Sequence, residues 1–142
     1  IQIHVACMFL PSLIAGNLIK KIGHSKMMYV GVGLYCITVI ISLFDQSFLN
    51  YMLALIFLGF GWNFLFISGT SLLVLTYNEE ERFRAQGFND FIVFSVQATA
   101  SLTAGIILSF TSWKIMNILC IPFLIIIIFT TMRADRLLDK TN

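Results

Sequence analysis

Few side chains in this chain could do chemistry, and most of those that could sit in two apolar runs. Trp62, Asn63, Phe66 and Thr70 lie in one, and Asp90, Gln97 and Ser101 in the next. Amides, hydroxyls and an indole can hold a small molecule by hydrogen bonding and stacking. Bond-breaking chemistry would need acids, histidines or a nucleophile converging at one depth. His4 and His24 stand a membrane span apart, and neither HExxH nor GxSxG occurs. Cys7, Cys36 and Cys120 stand singly in separate apolar runs, without CxxC or other metal spacing. The residues therefore point to binding rather than catalysis, and call for no metal or cofactor.

Helical spacing groups these residues. Gly59, Asn63, Phe66 and Thr70 follow i, i+4, i+7, i+11, and Asp90, Phe94, Gln97 and Ser101 repeat the pattern. Asn63 and Gln97 each suit either a ligand in a cavity or a hydrogen bond to a neighbouring helix, and Trp62 suits either stacking or packing. Ala100/Ala104 and Ser101/Gly105 are small-xxx-small pairs that let helix backbones approach. Asp90 falls in the first turn of its expected span, where a helix dipole favours negative charge. It could close a gate with Arg82 and Arg84, which otherwise read as topology determinants. Asn78 and Glu81 have the spacing of a capping box for a short surface helix.

The elements that carry these residues are membrane spans. Of 142 residues, 58% are hydrophobic and 11% charged, where a soluble domain carries about a quarter charged. Mean hydropathy is +0.91. The net charge of +2 says little about partners; the lipid bilayer is the expected one, and no nucleic acid is expected. Five runs approach the 20 or so residues needed to cross hydrocarbon: Ile1–Ile19, Met27–Phe44, Tyr51–Tyr77, Phe88–Phe110 and Ile115–Met132. They do not alternate as barrel strands would, so the expected fold class is all-α, a polytopic helical bundle. The links Lys20–Lys26, Asp45–Asn50, Asn78–Gln86 and Thr111–Lys114 are short, which makes successive helices antiparallel neighbours. Pro11 and Pro122 are expected to kink their helices. A frayed tail, Arg133–Asn142, is expected after the fifth span.

Alternating spans put Lys20, Lys21, Lys26, Arg82, Arg84, Arg133, Arg136 and Lys140 on one side and only Lys114 on the other. That bias makes the first side, and the C-terminus, cytoplasmic. Tyr51, Tyr77 and Trp113 fall near span ends as interfacial anchors. The third and fourth spans hold most of the polar groups, which in a membrane face the bundle interior or a wet cavity. They are expected to line a path, with the second and fifth spans as lipid-facing shields. The chain starts with Ile1 inside an apolar run, so a missing N-terminal part is expected.

Two stretches resemble the major facilitator superfamily. Gly16-Asn-Leu-Ile-Lys20-Lys21-Ile-Gly23-His24-Ser-Lys26 is similar to the family's loop signature of two glycines, a leucine, an acidic–basic pair and further basic residues. Gly16, Leu18, Lys21, Gly23 and Lys26 fit; Lys20 replaces the acid, and His24 and Ser25 stand where basic residues are usual. GWNFLFISGTSLL followed by ERFRAQGFNDF looks like the tenth and eleventh helices of bacterial members. The resemblance covers nearly the whole chain as helices eight to twelve, five of the six helices of a C-terminal half; helices two to six of an N-terminal half are the other register. It implies part of a secondary transporter with a small-molecule substrate, a missing N-terminal transmembrane half as partner, and helices ten and eleven near the cavity. Trp62, Asn63, Phe66, Thr70, Gln97 and Ser101 would line that cavity. Gly16, Lys20, Lys21, Gly23, Arg82, Arg84 and Asp90 would form its cytoplasmic gate. A non-transporting membrane protein or truncated remnant is the competing reading.

Overall fold

A computed structural model describes residues 1–44 and 47–138. Its helices are α1 (Gln2–Phe9), α2 (Ser12–Ile22), α3 (His24–Phe44), α4 (Phe48–Val74), α5 (Arg82–Phe110) and α6 (Trp113–Leu138), with one 3-10 turn at Glu79–Glu81. The described residues contain no strand. The fold is an all-α polytopic bundle. Helices α3 to α6 are each long and apolar enough to cross a membrane, and α1 with α2 makes a fifth span if counted as one.

Helices α1 and α2 are bent by 43° at Leu10–Pro11. Pro11 has no N–H to give the carbonyl of Cys7 four residues back, and the chain tightens there. Ser12 Oγ donates to the Phe9 carbonyl at 2.5 Å, so part of the lost bonding is recovered. The first expected span is therefore two helices. Pro122, by contrast, lies inside an uninterrupted α6.

Three other boundaries differ from expectation. The third span keeps its 27 residues but is shifted to Phe48–Val74, about 40 Å of helix. The helix that carries the fourth begins before Phe88. The 3-10 turn runs directly into α5 at Arg82, so no separate surface helix forms and the Asn78 side chain makes no cap bond. Helix α6 continues through Arg133 and Arg136 to Leu138, where a frayed tail was expected. Residues 139–142 of that tail, and Asp45 and Gln46 of the second link, lie outside the described residues.

Glycines let α4 sit at the centre. A Cβ on Gly61 would lie 2.6 Å from the Tyr35 ring and 3.1 Å from the Gly31 carbonyl, so α3 and α4 cross with their backbones nearly touching. A Cβ on Gly59 would lie 2.8 Å from Cys7 Cβ and from the His4 carbonyl, which brings α1 against the other side. Two hydrogen bonds fix that second contact: Asn63 Nδ2 to the Met8 carbonyl at 2.6 Å, and His4 Nδ1 to the Leu55 carbonyl at 2.7 Å.

Burial reverses part of the expected ranking. Helix α3, expected to be a shield, buries Met27, Met28, Gly31, Val32, Thr38 and Ser42 against its neighbours. Helix α5, expected to be a lining helix, buries none of its 29 residues. Polarity in the sequence marks a face turned toward water or a partner; packing inside this chain is a different property. A helix can rank high on one and low on the other.

Candidate functional site

The α4 run Trp62–Phe66 winds past two different neighbours. Trp62 and Phe66, one helical turn apart, stack with centroids 4.7 Å apart and planes 9° from parallel. Phe9 of α1 meets Trp62 edge-on at 6.2 Å, and Phe94 of α5 meets Phe66 at 6.4 Å. The result is an aromatic row across α1, α4 and α5. Trp62 and Phe66 are half-buried, and with Tyr35, Leu65, Val93 and Thr130 they line a cavity of about 460 Å³ between α3, α4, α5 and α6.

Asn63 lies on another side of the helix. It is 1% exposed, and its amide bonds the Met8 carbonyl. Its Oδ1 has no hydrogen-bond partner. Of its two readings, the interhelical bond is the one present in this geometry. Such bonds contribute about 0.6 kcal/mol on average within membranes. Ser68, fully buried on the same helix, is also without a partner. Thr70 returns its hydroxyl to the Phe66 carbonyl at 2.8 Å.

On α5, Gln97 and Ser101 are exposed, on the register of Phe94. Thr99 and Thr103 follow a separate stripe. Their hydroxyls donate to the carbonyls of Ser95 and Thr99 at 2.8 and 2.7 Å, and they border a 620 Å³ groove between α5 and α6. Gly105 has open space where a Cβ would go, so the Ser101/Gly105 pair packs against no helix among the described residues.

At the loop end, Gly23 has φ +87° and ψ 161°, backbone territory that a side chain closes off. The second glycine of the loop signature is thus required by the turn from α2 into α3. Gly16 has open space around it. Lys20 and Lys21 are exposed in the last turn of α2, where the helix dipole favours cations.

Arg82 pairs with Glu79 at 4.0 Å with both side chains well exposed, a contact worth little in water. Arg84 borders a shallow hollow with Tyr77 and Phe88. Asp90 is reached by Asn89 Nδ2 at 3.2 Å, and no ion pair joins it to Arg82 or Arg84 among the described residues. Because α5 begins at Arg82, Asp90 is past the first turn, and the helix dipole does not reach it as expected.

Sequence reasoning missed Asp135. It lies inside α6 and accepts a hydrogen bond from Tyr29 Oη at 3.0 Å, tying the end of α6 to the start of α3. Spacing could not reveal a contact between positions so far apart.

The family model described as Major Facilitator Superfamily matches residues 3–141. The chain belongs to the major facilitator superfamily. It is 40% identical over 128 residues to a Brucella anthropi protein named riboflavin transporter RfnT, covering 90% of this chain and 32% of that one. It is 30% identical over 121 residues to the uncharacterized MFS-type transporter YdeG of Bacillus subtilis, covering 84% of this chain and 28% of that protein. To the uncharacterized transporter YebQ of Escherichia coli it is 29% identical over 111 residues, covering 78% of this chain and 24% of that one. The chain thus spans about a third or less of the length of these relatives. No solved structure matches it.

Proposed function

We propose that residues 1–142 are helices eight to twelve of a secondary transporter that moves a small solute by alternating access. The observation that carries this reading is α5: a 29-residue apolar helix with polar groups along it that buries nothing in its own chain. Such a helix needs another bundle across a solute path, and in transporters of this kind two bundles rock around a site near the midplane. The protein is a carrier and not an enzyme, and its other half supplies the remaining wall.

The solute face is the aromatic row Phe9–Trp62–Phe66–Phe94, with Gln97 and Ser101 following Phe94 along α5. Stacked rings and amides without a charge at that depth suit an uncharged, planar aromatic solute. The 40% identity to a protein named riboflavin transporter supports that class. Lys20, Lys21, Gly23, Arg82, Arg84 and Asp90 form the cytoplasmic end. Seven of the eight described Lys and Arg residues lie at that end and only Lys114 at the other, which favours a cytoplasmic C-terminus in a bacterial inner membrane.

Uptake or efflux of radiolabelled riboflavin by the full-length protein in proteoliposomes tests the solute class. Saturable flux that falls at least ten-fold in Trp62→Ala supports it; equal flux in empty and loaded vesicles refutes it. The remnant reading draws on the same open α5. A native polypeptide of about 16.1 kDa in the membrane would establish that reading, whereas a mass with room for about seven more spans would exclude it.

A further inference from the structure

The cavity of about 460 Å³ that Trp62 and Phe66 line extends beyond the aromatic row. Its volume falls within the range of about 300–1,000 Å³ usual for small-molecule pockets. It follows α4 from Trp62 to Leu72, about 15 Å of helix. Another wall is the cytoplasmic part of α6, from Ile127 to Ala134, and no charged residue lines any side. The hydroxyls in that α6 wall belong to Thr130 and Thr131, which are neighbours in sequence but bond differently.

A helical threonine commonly returns its hydroxyl to a carbonyl three or four residues back. Thr38, Thr70, Thr99 and Thr103 do this. Thr130 reaches two such carbonyls, Ile126 at 2.9 Å and Ile127 at 3.0 Å. Ile127 lies four residues before Thr131, so Thr130 already occupies the carbonyl that Thr131 would use. Thr131 is 4% exposed, and its Oγ1 makes no hydrogen bond among the described residues. Ser42 and Ser68 also lack partners, but their hydroxyls are sealed from every surface. That of Thr131 is not sealed, and the surface it lines is this cavity. A hydroxyl proton without an acceptor is costly where hydrocarbon surrounds the protein. The group that completes it is a hydrogen-bond acceptor brought into the cavity.

We infer that Thr131 is a specificity-determining contact of the solute site: its Oγ1 donates to a ring carbonyl or ring nitrogen on the edge of a planar solute seated against Trp62 and Phe66. This rests on the transport reading above and adds to it a contact from α6, the span whose sequence marks it as a lipid-facing shield. A flat hydrocarbon, which offers no acceptor, is the solute that such a site rejects. Tyr35 also lines the neighbouring space between α3, α4 and α6, so its hydroxyl is not assigned to the solute.

The test uses the full-length protein in proteoliposomes and radiolabelled riboflavin, the probe of the flux assay above, with KM and maximal rate measured separately. Thr131→Val keeps the shape and loses the hydroxyl; KM should rise about five-fold, the worth of one ordinary neutral hydrogen bond, with the maximal rate little changed. Thr131→Ser restores the wild-type KM. Thr130→Val, whose hydroxyl is spent within α6, leaves KM unchanged. In the protein lacking Cys7, Cys36 and Cys120, alkylation of Thr131→Cys by a neutral maleimide is slowed by saturating riboflavin. An unchanged KM in Thr131→Val, as for a hydroxyl that meets only water, overturns the inference. So does an equal rise in Thr130→Val, or alkylation of Thr131→Cys that riboflavin does not slow. Wild-type protein without saturable flux refutes the transport reading and this inference together, so the two failures are told apart. Protection of Thr131→Cys remains readable even if Thr131→Val fails to fold.

Discussion

Gly61→Ala is the sharpest perturbation of the bundle. The added Cβ would sit 2.6 Å from Tyr35 Cδ1, 2.9 Å from Cε1 and 3.1 Å from the Gly31 carbonyl oxygen. The ring lines the cavity beside Trp62 and Phe66 and can shift toward it. The carbonyl is backbone and cannot turn. Overpacking of this kind costs about 1–3 kcal/mol. Against it stands the helix propensity of alanine over glycine, about 1 kcal/mol. Gly33→Ala is the internal control, since nothing lies within 4 Å of its Cβ and only the propensity gain remains. The two variants should therefore differ by about 1–3 kcal/mol, with Gly61→Ala the less stable. Reversible unfolding in detergent, followed by far-UV circular dichroism, reads that difference. Equal stability of the two variants would refute the close α3–α4 crossing.

Gly23→Ala places a side chain at φ +87°, so it should cost about 1–3 kcal/mol and expose the α2–α3 turn to limited proteolysis. Asn63→Ala removes one of two bonds holding α1 to α4; stability should fall by about 0.6 kcal/mol, and Cys7, which packs on Gly59, should alkylate faster. Unchanged alkylation would place the α1 anchor elsewhere. Pro11→Ala should straighten the 43° bend, lengthening the distance between spin labels at positions 3 and 20 in pulsed electron resonance.

The apolar runs were legible because a bilayer imposes length and hydropathy, and α3 to α6 follow them closely. Pro11 announced its bend. Helix ends were less legible: nothing apolar separates Arg82–Gly87 from the span it begins, so α5 extends through its own charged turn. The reversal between α3 and α5 has a plain cause. Gly31 carries no polarity to mark it, yet it meets Gly61 where α3 and α4 cross most closely. The polar stripe of α5 is conspicuous in sequence, and no residue of that helix is buried here. Within the candidate site, Trp62 and Phe66 belong to one surface and Asn63 to another. The i, i+4, i+7 rule grouped Asn63 with Phe66 because it gives an angle around the helix but not the neighbour found there.

The claim that α5 faces a solute path in the complete transporter is tested most directly by cysteine labelling at Gln97. In the full-length protein lacking Cys7, Cys36 and Cys120, Gln97→Cys is treated with a charged, water-soluble thiosulfonate, with and without solute. Rapid labelling that saturating solute slows is the expected result, with cysteine at Ile125, exposed on α6 and expected to face lipid, remaining inert. Labelling of Gln97→Cys no faster than the Ile125→Cys control, with or without solute, would contradict the account.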